Sequence, residues 1–105
     1  MSLRKSETFI SDVEKQFQWY LANANWEIAD RYLEAVEATC NLLEKHPLIG
    51  PRAKLSHPRL REWRFIVTLR PFQKHILFYE VDGQNVLLRR AMHGHRDLPR
   101  RLIEI

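Results

Sequence analysis

Two imidazoles, a guanidinium and a carboxylate crowd into His93-Gly94-His95-Arg96-Asp97, and three more arginines, Arg64, Arg89 and Arg90, stand in stretches that read as strands. Such groups suit acid–base work, in which one side chain takes a proton, another gives one to a leaving oxygen, and cations stand near the developing negative charge. Arg64, Arg89, His93, His95 and Arg96 are of the right types for that chemistry. Arg89 and Arg90 are neighbours in a strand, so they point to opposite faces and cannot both serve one site. The other covers the sheet or pairs with Glu80 or Glu62. The pentad also has a purely structural reading, a turn in which Gly94 permits an unusual backbone and Asp97 pairs with Arg96. His93 and His95 share a strand face, but with no clear third ligand the sequence calls for no metal and no cofactor.

Two helices and a meander must position these groups. Leu3 to Ile10 reads as a short strand, and Ser11 with Glu14 has the spacing of a capping box, which predicts a helix from Asp12 to about Ala24. Ile10, Val13, Phe17, Tyr20, Leu21 and Ala24 form its apolar face. Asn23 and Asn25 interrupt the pattern, and a second stripe through Ala29, Tyr32, Leu33, Val36, Cys40 and Leu43 runs until Pro47 stops it. So short a break implies an antiparallel helix hairpin. Beyond Pro51 the period becomes two. Trp63, Phe65, Val67 and Leu69 alternate with Glu62, Arg64, Ile66 and Thr68, then Arg70 to Gln73 supplies a turn. His75 to Val81 is apolar on both faces, as a central strand should be, and Asp82-Gly83 suits a tight turn into a strand from Val86 to about His93. The layout is α+β, an N-terminal helix hairpin packed on one face of an antiparallel β-sheet.

The 105 residues make one domain, spanning 1–105, with a single core. Their net charge of +4 divides unevenly: residues 1–46 hold 5 Lys+Arg against 8 Asp+Glu, and residues 47–105 hold 12 against 5 and four of the five histidines. The second half therefore suits an anionic partner, although a solvated basic surface would carry the same charge. No apolar run is long enough for a membrane helix and no secretory signal opens the chain, so the expected location is the cytoplasm. The lone Cys40 permits no internal disulfide, lacks an activating base, and belongs with Tyr32 and Tyr79 in the core.

Leu43-Glu44-Lys45-His46-Pro47-Leu48-Ile49-Gly50, Phe78-Tyr79-Glu80-Val81 and His93-Gly94-His95-Arg96-Asp97, in this order and spacing, resemble the RelE/ParE superfamily of toxins from type II toxin–antitoxin modules. The likeness runs from Ser11 to about Leu102 and lies closer to the ParE, or plasmid stabilisation, branch. It implies a β-α-α-β-β-β fold and a toxin that poisons DNA gyrase, blocks replication and is neutralised by a cognate ParD-like antitoxin with an acidic toxin-binding tail. In that reading Arg89, His93, His95, Arg96 and Arg100 meet the target. The RelE branch instead cuts messenger RNA on the ribosome, which would rest on Arg64, Arg89, His93 and Arg96. Many RelE-type nucleases carry a tyrosine or histidine near the C-terminus; here Tyr20, Tyr32 and Tyr79 all precede the last strand, so His93 or His95 would have to substitute. A third class is a toxin fold that retains only binding.

Trp19 falls opposite the apolar stripe of its helix. A large aromatic there suits a partner surface for antitoxin or a second copy, together with Trp26 and Leu42, unless the amino-terminal segment folds over it.

Overall fold

A computed structural model describes residues 2–53 and 58–94. The elements are β1 (Leu3–Lys5), α1 (Glu7–Asn23), α2 (Trp26–Lys45), a single 3₁₀ turn (Pro58–Leu60), β2 (Arg64–Val67), β3 (His75–Asp82) and β4 (Asn85–His93).

The first helix begins at Glu7, five residues earlier than the Ser11-x-x-Glu14 spacing predicts. Its N-cap is Ser6, whose hydroxyl accepts the N–H of Phe9 at 3.0 Å. Tertiary pairing decides this start. Ser6 also donates its own N–H to the Leu88 carbonyl at 2.9 Å and its hydroxyl to the Arg89 carbonyl at 3.0 Å, so the same residue ends the β1 ladder and opens the helix. Asn25 caps α2 by accepting the N–H of Ile28 at 2.8 Å, and the chain leaves that helix at His46, before Pro47. At the β3–β4 turn Gly83 takes a φ of 63°, which only glycine adopts without strain.

The sheet runs β1-β4-β3-β2. It is mixed, not wholly antiparallel: β2, β3 and β4 form the antiparallel meander, but β1 lies parallel to β4, with Leu3 opposite Val86 and Lys5 opposite Leu88. Parallel neighbours need a long crossover, and here everything from α1 to β3 lies between them. Between β3 and β4 the register slips by one residue: Phe78 faces Arg90 and Tyr79 faces Leu88, which leaves Arg89 as a bulge.

Alternation along β3 supplies two cores. Leu77 and Tyr79 join Phe9, Tyr32, Val36, Cys40, Leu43 and Leu88 in the larger cluster beneath the helices. Phe78, with Ile76 packed beside it, joins Leu60, Trp63 and Met92 in a second cluster. The expected apolar face of the first meander strand divides accordingly. Trp63 is buried and Phe65 packs against the second cluster, whereas Val67 and Leu69 are exposed and Ile66 and Thr68 turn inward. Strand β2 is an edge, so only its first half is covered. The stripe on α1 shifts too: Phe9 is its one fully buried residue, and Ile10 is 53% exposed.

Candidate functional site

The final strand is held in place from α1. Asp12 takes Arg90 in a two-point grip, Nε at 2.7 Å from Oδ2 and Nη2 at 3.2 Å from Oδ1, and also accepts the N–H of Ala91 at 3.0 Å. Both side chains are buried, 7% exposed for Asp12 and 8% for Arg90. Strand β1 reaches only as far as Leu88, so Ser6 and Asp12 serve the edge of β4 beyond it. A buried ion pair gains from this shared, hydrogen-bonded geometry what it loses in desolvation.

Past Arg90, β4 delivers His93 beside His75, its register partner, with ring centroids 5.3 Å apart and nearly perpendicular. His75 is buried among Tyr20, Tyr32 and Phe72, and the Tyr20 hydroxyl lies 2.9 Å from its Nε2. An open cavity of about 400 Å³ forms here, lined in part by Tyr20, Lys74, His75 and His93. The phenol, two imidazoles and an amine at its wall are groups that move protons and attract anions. Sequence reasoning missed Tyr20 and His75 as members of one cluster. The available signal was a histidine opening a run that is apolar on both faces, since a buried imidazole in such a strand has to find polar company.

The arginines expected to work together are dispersed. Arg64 donates to the Gly50 carbonyl at 2.7 Å. It is opposite Tyr79, four residues along β3 from the position that faces His93, a separation of about 13 Å along the strand alone. Arg89 is held by Glu80, with both Nε and Nη2 2.6 Å from Oε2. Arg52 pairs with Glu62 at 3.5 Å. Among the described residues, Arg52, Arg89 and Arg90 are thus answered by carboxylates within the fold. Arg61, Arg70 and Lys74 are exposed and have no ion-pair partner among the described residues. His95, Arg96 and Arg100 lie outside the described residues, as does any pairing of Arg96 with Asp97. Among the described residues no group of three or more His, Cys, Asp or Glu is placed to hold a metal ion.

On the hairpin, Trp19 is 49% exposed although it stacks edge-on against Tyr20, and Trp26, at the start of α2, is 67% exposed. Leu42 is half-buried. The two tryptophans therefore leave large apolar surface near the turn between the helices, while Leu42 contributes less.

Cys40, Tyr32 and Tyr79 are buried in the larger core. Burial pushes the Cys40 thiol up to about 12, with nearby Lys5 lowering it and Glu37 raising it. Burial likewise raises the Tyr32 and Tyr79 phenols; for Tyr79, the Gly50 N–H and the Arg64 charge pull the other way. The folded chain holds these protons where the unfolded chain releases them, so their contribution is complete below the unfolded values and is lost as pH rises. Stability should accordingly fall above about pH 9. At pH 8 iodoacetamide should label Cys40 in urea but not in buffer. Equal labelling rates in the two solvents, or a urea midpoint unchanged from about pH 8 to 11, would contradict the burial of these groups.

Comparison with known proteins places this geometry. A family model described as "ParE toxin of type II toxin-antitoxin system, parDE" matches residues 3–98. No curated protein matches the sequence. Among solved structures, a chain described as "Chromosomal ParDE TA system from P. aeruginosa" superposes with a TM-score of 0.72 at 16% identity, covering 89% of this chain and 95% of that one. At that identity the likeness is one of fold: two helices with a four-stranded mixed sheet.

Proposed function

The chain belongs to the ParE toxin family of type II toxin–antitoxin systems, and from that premise we propose that it arrests growth by binding DNA gyrase and is neutralised by a cognate ParD-like antitoxin. The observation that carries a binding role over a catalytic one is the dispersal of the arginines. Arg64 is bonded to a backbone carbonyl, Arg89 to Glu80 and Arg90 to Asp12, so these guanidiniums do not converge on one phosphate position. A protein that inhibits by binding needs surface, not a reacting constellation. Exposed Arg61, Arg70 and Lys74 offer charge, and Trp19 and Trp26 offer aromatic anchors. Such a module works in the cytoplasm and maintains a plasmid or chromosomal segment, or links growth arrest to stress. Among the described residues no helix is long and apolar enough to cross a membrane.

A second reading, ribosome-dependent cleavage of messenger RNA, draws on the cavity that gathers Tyr20, Lys74, His75 and His93. Inducible expression without antitoxin separates the two. Gyrase inhibition should give filaments, a DNA-damage response, and loss of supercoiling activity when purified protein is added to gyrase. Rapid translation arrest with cleaved messages would overturn that reading in favour of the nuclease, and a folded protein with no growth defect would count against both. His93→Ala should fold normally, and toxicity that survives His93→Ala combined with Arg64→Ala would defeat the nuclease reading.

A further inference from the structure

We propose that the end of the sheet beyond Arg90 binds a nucleotide unit, with its phosphate beside Lys74 and His93 and its base stacked on Trp19. The proposal does not rest on the gyrase reading, because it uses only the groups that line two adjoining cavities.

The larger cavity, of about 400 Å³, is the one walled by Tyr20, Lys74, His75 and His93. His93 also lines a second, of about 190 Å³, together with Lys15, Gln16 and Trp19. Joined at His93, the two have the size of a small-molecule cleft. The rings follow one another along the wall: Trp19 to Tyr20 at 5.5 Å, Tyr20 to His75 at 5.9 Å and His75 to His93 at 5.3 Å between centroids. Two such steps take Trp19 to His75, which puts the aromatic and basic ends of the wall within reach of one nucleotide. The basic end is held in place by the sheet. The Lys74 carbonyl accepts the Gly94 N–H at 2.6 Å, and the Tyr20 hydroxyl lies 2.9 Å from His75 Nε2.

Charge selects the sign of the ligand. Lys15 and Lys74 are exposed and have no carboxylate partner among the described residues. Asp12, the one carboxylate among the described residues lining either cavity, is committed to Arg90 and to the Ala91 N–H. An ammonium and an imidazole N–H are donors that fit the acceptor oxygens of a phosphate. The aromatic end narrows the class further. Trp19 is 49% exposed, so its indole can stack on a planar base, and the Gln16 amide can both donate to and accept from a base edge. Inorganic phosphate or an acidic peptide would leave the indole unanswered. In a duplex the bases already stack on one another, so the unit comes from a single strand or a free nucleotide.

The test is a fluorescence anisotropy titration of the full chain against a fluorescein-labelled single-stranded oligodeoxythymidylate, with adenosine 5′-monophosphate as competitor. Trp19→Ala should weaken binding about tenfold through the lost stacking, and Trp19→Phe, which keeps a ring, should restore most of it. Lys74→Gln should lower the slope of log affinity against log salt by about 0.7, the share of one phosphate contact. Arg4→Gln should leave both quantities as in the wild type, because Arg4 lies opposite Leu87, about 20 Å along β4 from His93. Circular dichroism confirms that each variant is folded. Displacement by the mononucleotide upholds the site and makes free nucleotide a source; strand binding that resists the mononucleotide yet falls in Trp19→Ala upholds it with the strand as source. No binding in about 50 mM salt would overturn the proposal. So would a duplex of the same sequence binding as tightly as the strand, polyglutamate displacing the strand as well as the mononucleotide does, or equal losses in Lys74→Gln and Arg4→Gln, since each would mean a basic surface without a stacked base.

Discussion

Asp12→Ala should remove about 3–5 kcal/mol of stability, a large part of the 5–15 kcal/mol typical of a domain of this kind. The substitution takes from Arg90, itself only 8% exposed, the carboxylate that holds it at two points. It also deprives the Ala91 N–H of its acceptor on an edge that β1 does not reach. Burial makes the loss large, because water cannot readily replace the missing oxygen atoms. Urea denaturation measures it as a lowered midpoint at constant slope. Asp12→Leu combined with Arg90→Met removes both charges and should recover most of the loss, since the desolvation penalty of the arginine goes with it. A single-variant loss under about 1 kcal/mol would mean that the pair behaves as a surface bridge. Strand β4 carries His93 to the cavity wall three residues beyond Arg90, so Asp12→Ala should also weaken toxicity through folding. An Asp12→Ala protein that is stable yet inactive would instead point to a direct contact with the target.

Gly50→Ala should cost about 2 kcal/mol and lower the melting temperature by about 10 °C. A Cβ at this position would stand 2.2 Å from the Phe65 carbonyl oxygen and 2.7 Å from the Tyr79 hydroxyl. The segment cannot easily retreat. Gly50 donates its N–H to the Tyr79 hydroxyl at 2.9 Å and accepts from Arg64 at 2.7 Å, while the Pro51 carbonyl receives the Phe65 N–H at 3.1 Å. Stiffening the unfolded chain returns only about 0.4–1 kcal/mol. Tyr79→Phe removes the hydroxyl but leaves the Phe65 carbonyl, so the double variant should not regain wild-type stability. Thermal denaturation of the two single variants and the double one reads this directly. A Gly50→Ala protein melting within about 2 °C of wild type would show that the close approach is not maintained in solution.

The helices and the meander were legible because their signals are local. Pro47 ends the second helix, Asp82-Gly83 turns the hairpin, and β3 is apolar on both faces because both faces are covered. Local signals misled where a distant strand competed for the same group. The capping-box spacing at Ser11 is genuine, yet Ser6 opens the helix because its N–H and hydroxyl also complete the β4 edge. The inward and outward sides of β2 were misjudged past Phe65 because an edge strand is covered only as far as its neighbours extend.

For the candidate site the division is sharper. Residue types alone determined that histidines and arginines gather in the second half and that a tryptophan lies opposite the apolar face of the first helix. Only the tertiary structure decided which of those charges are already answered. Arg90 meets a carboxylate 78 residues away and Tyr20 meets a histidine 55 residues away, whereas Arg89 is held by Glu80 across the hairpin. A charge count is additive along the chain, but neutralisation depends on separation in space, which folding sets and composition does not record.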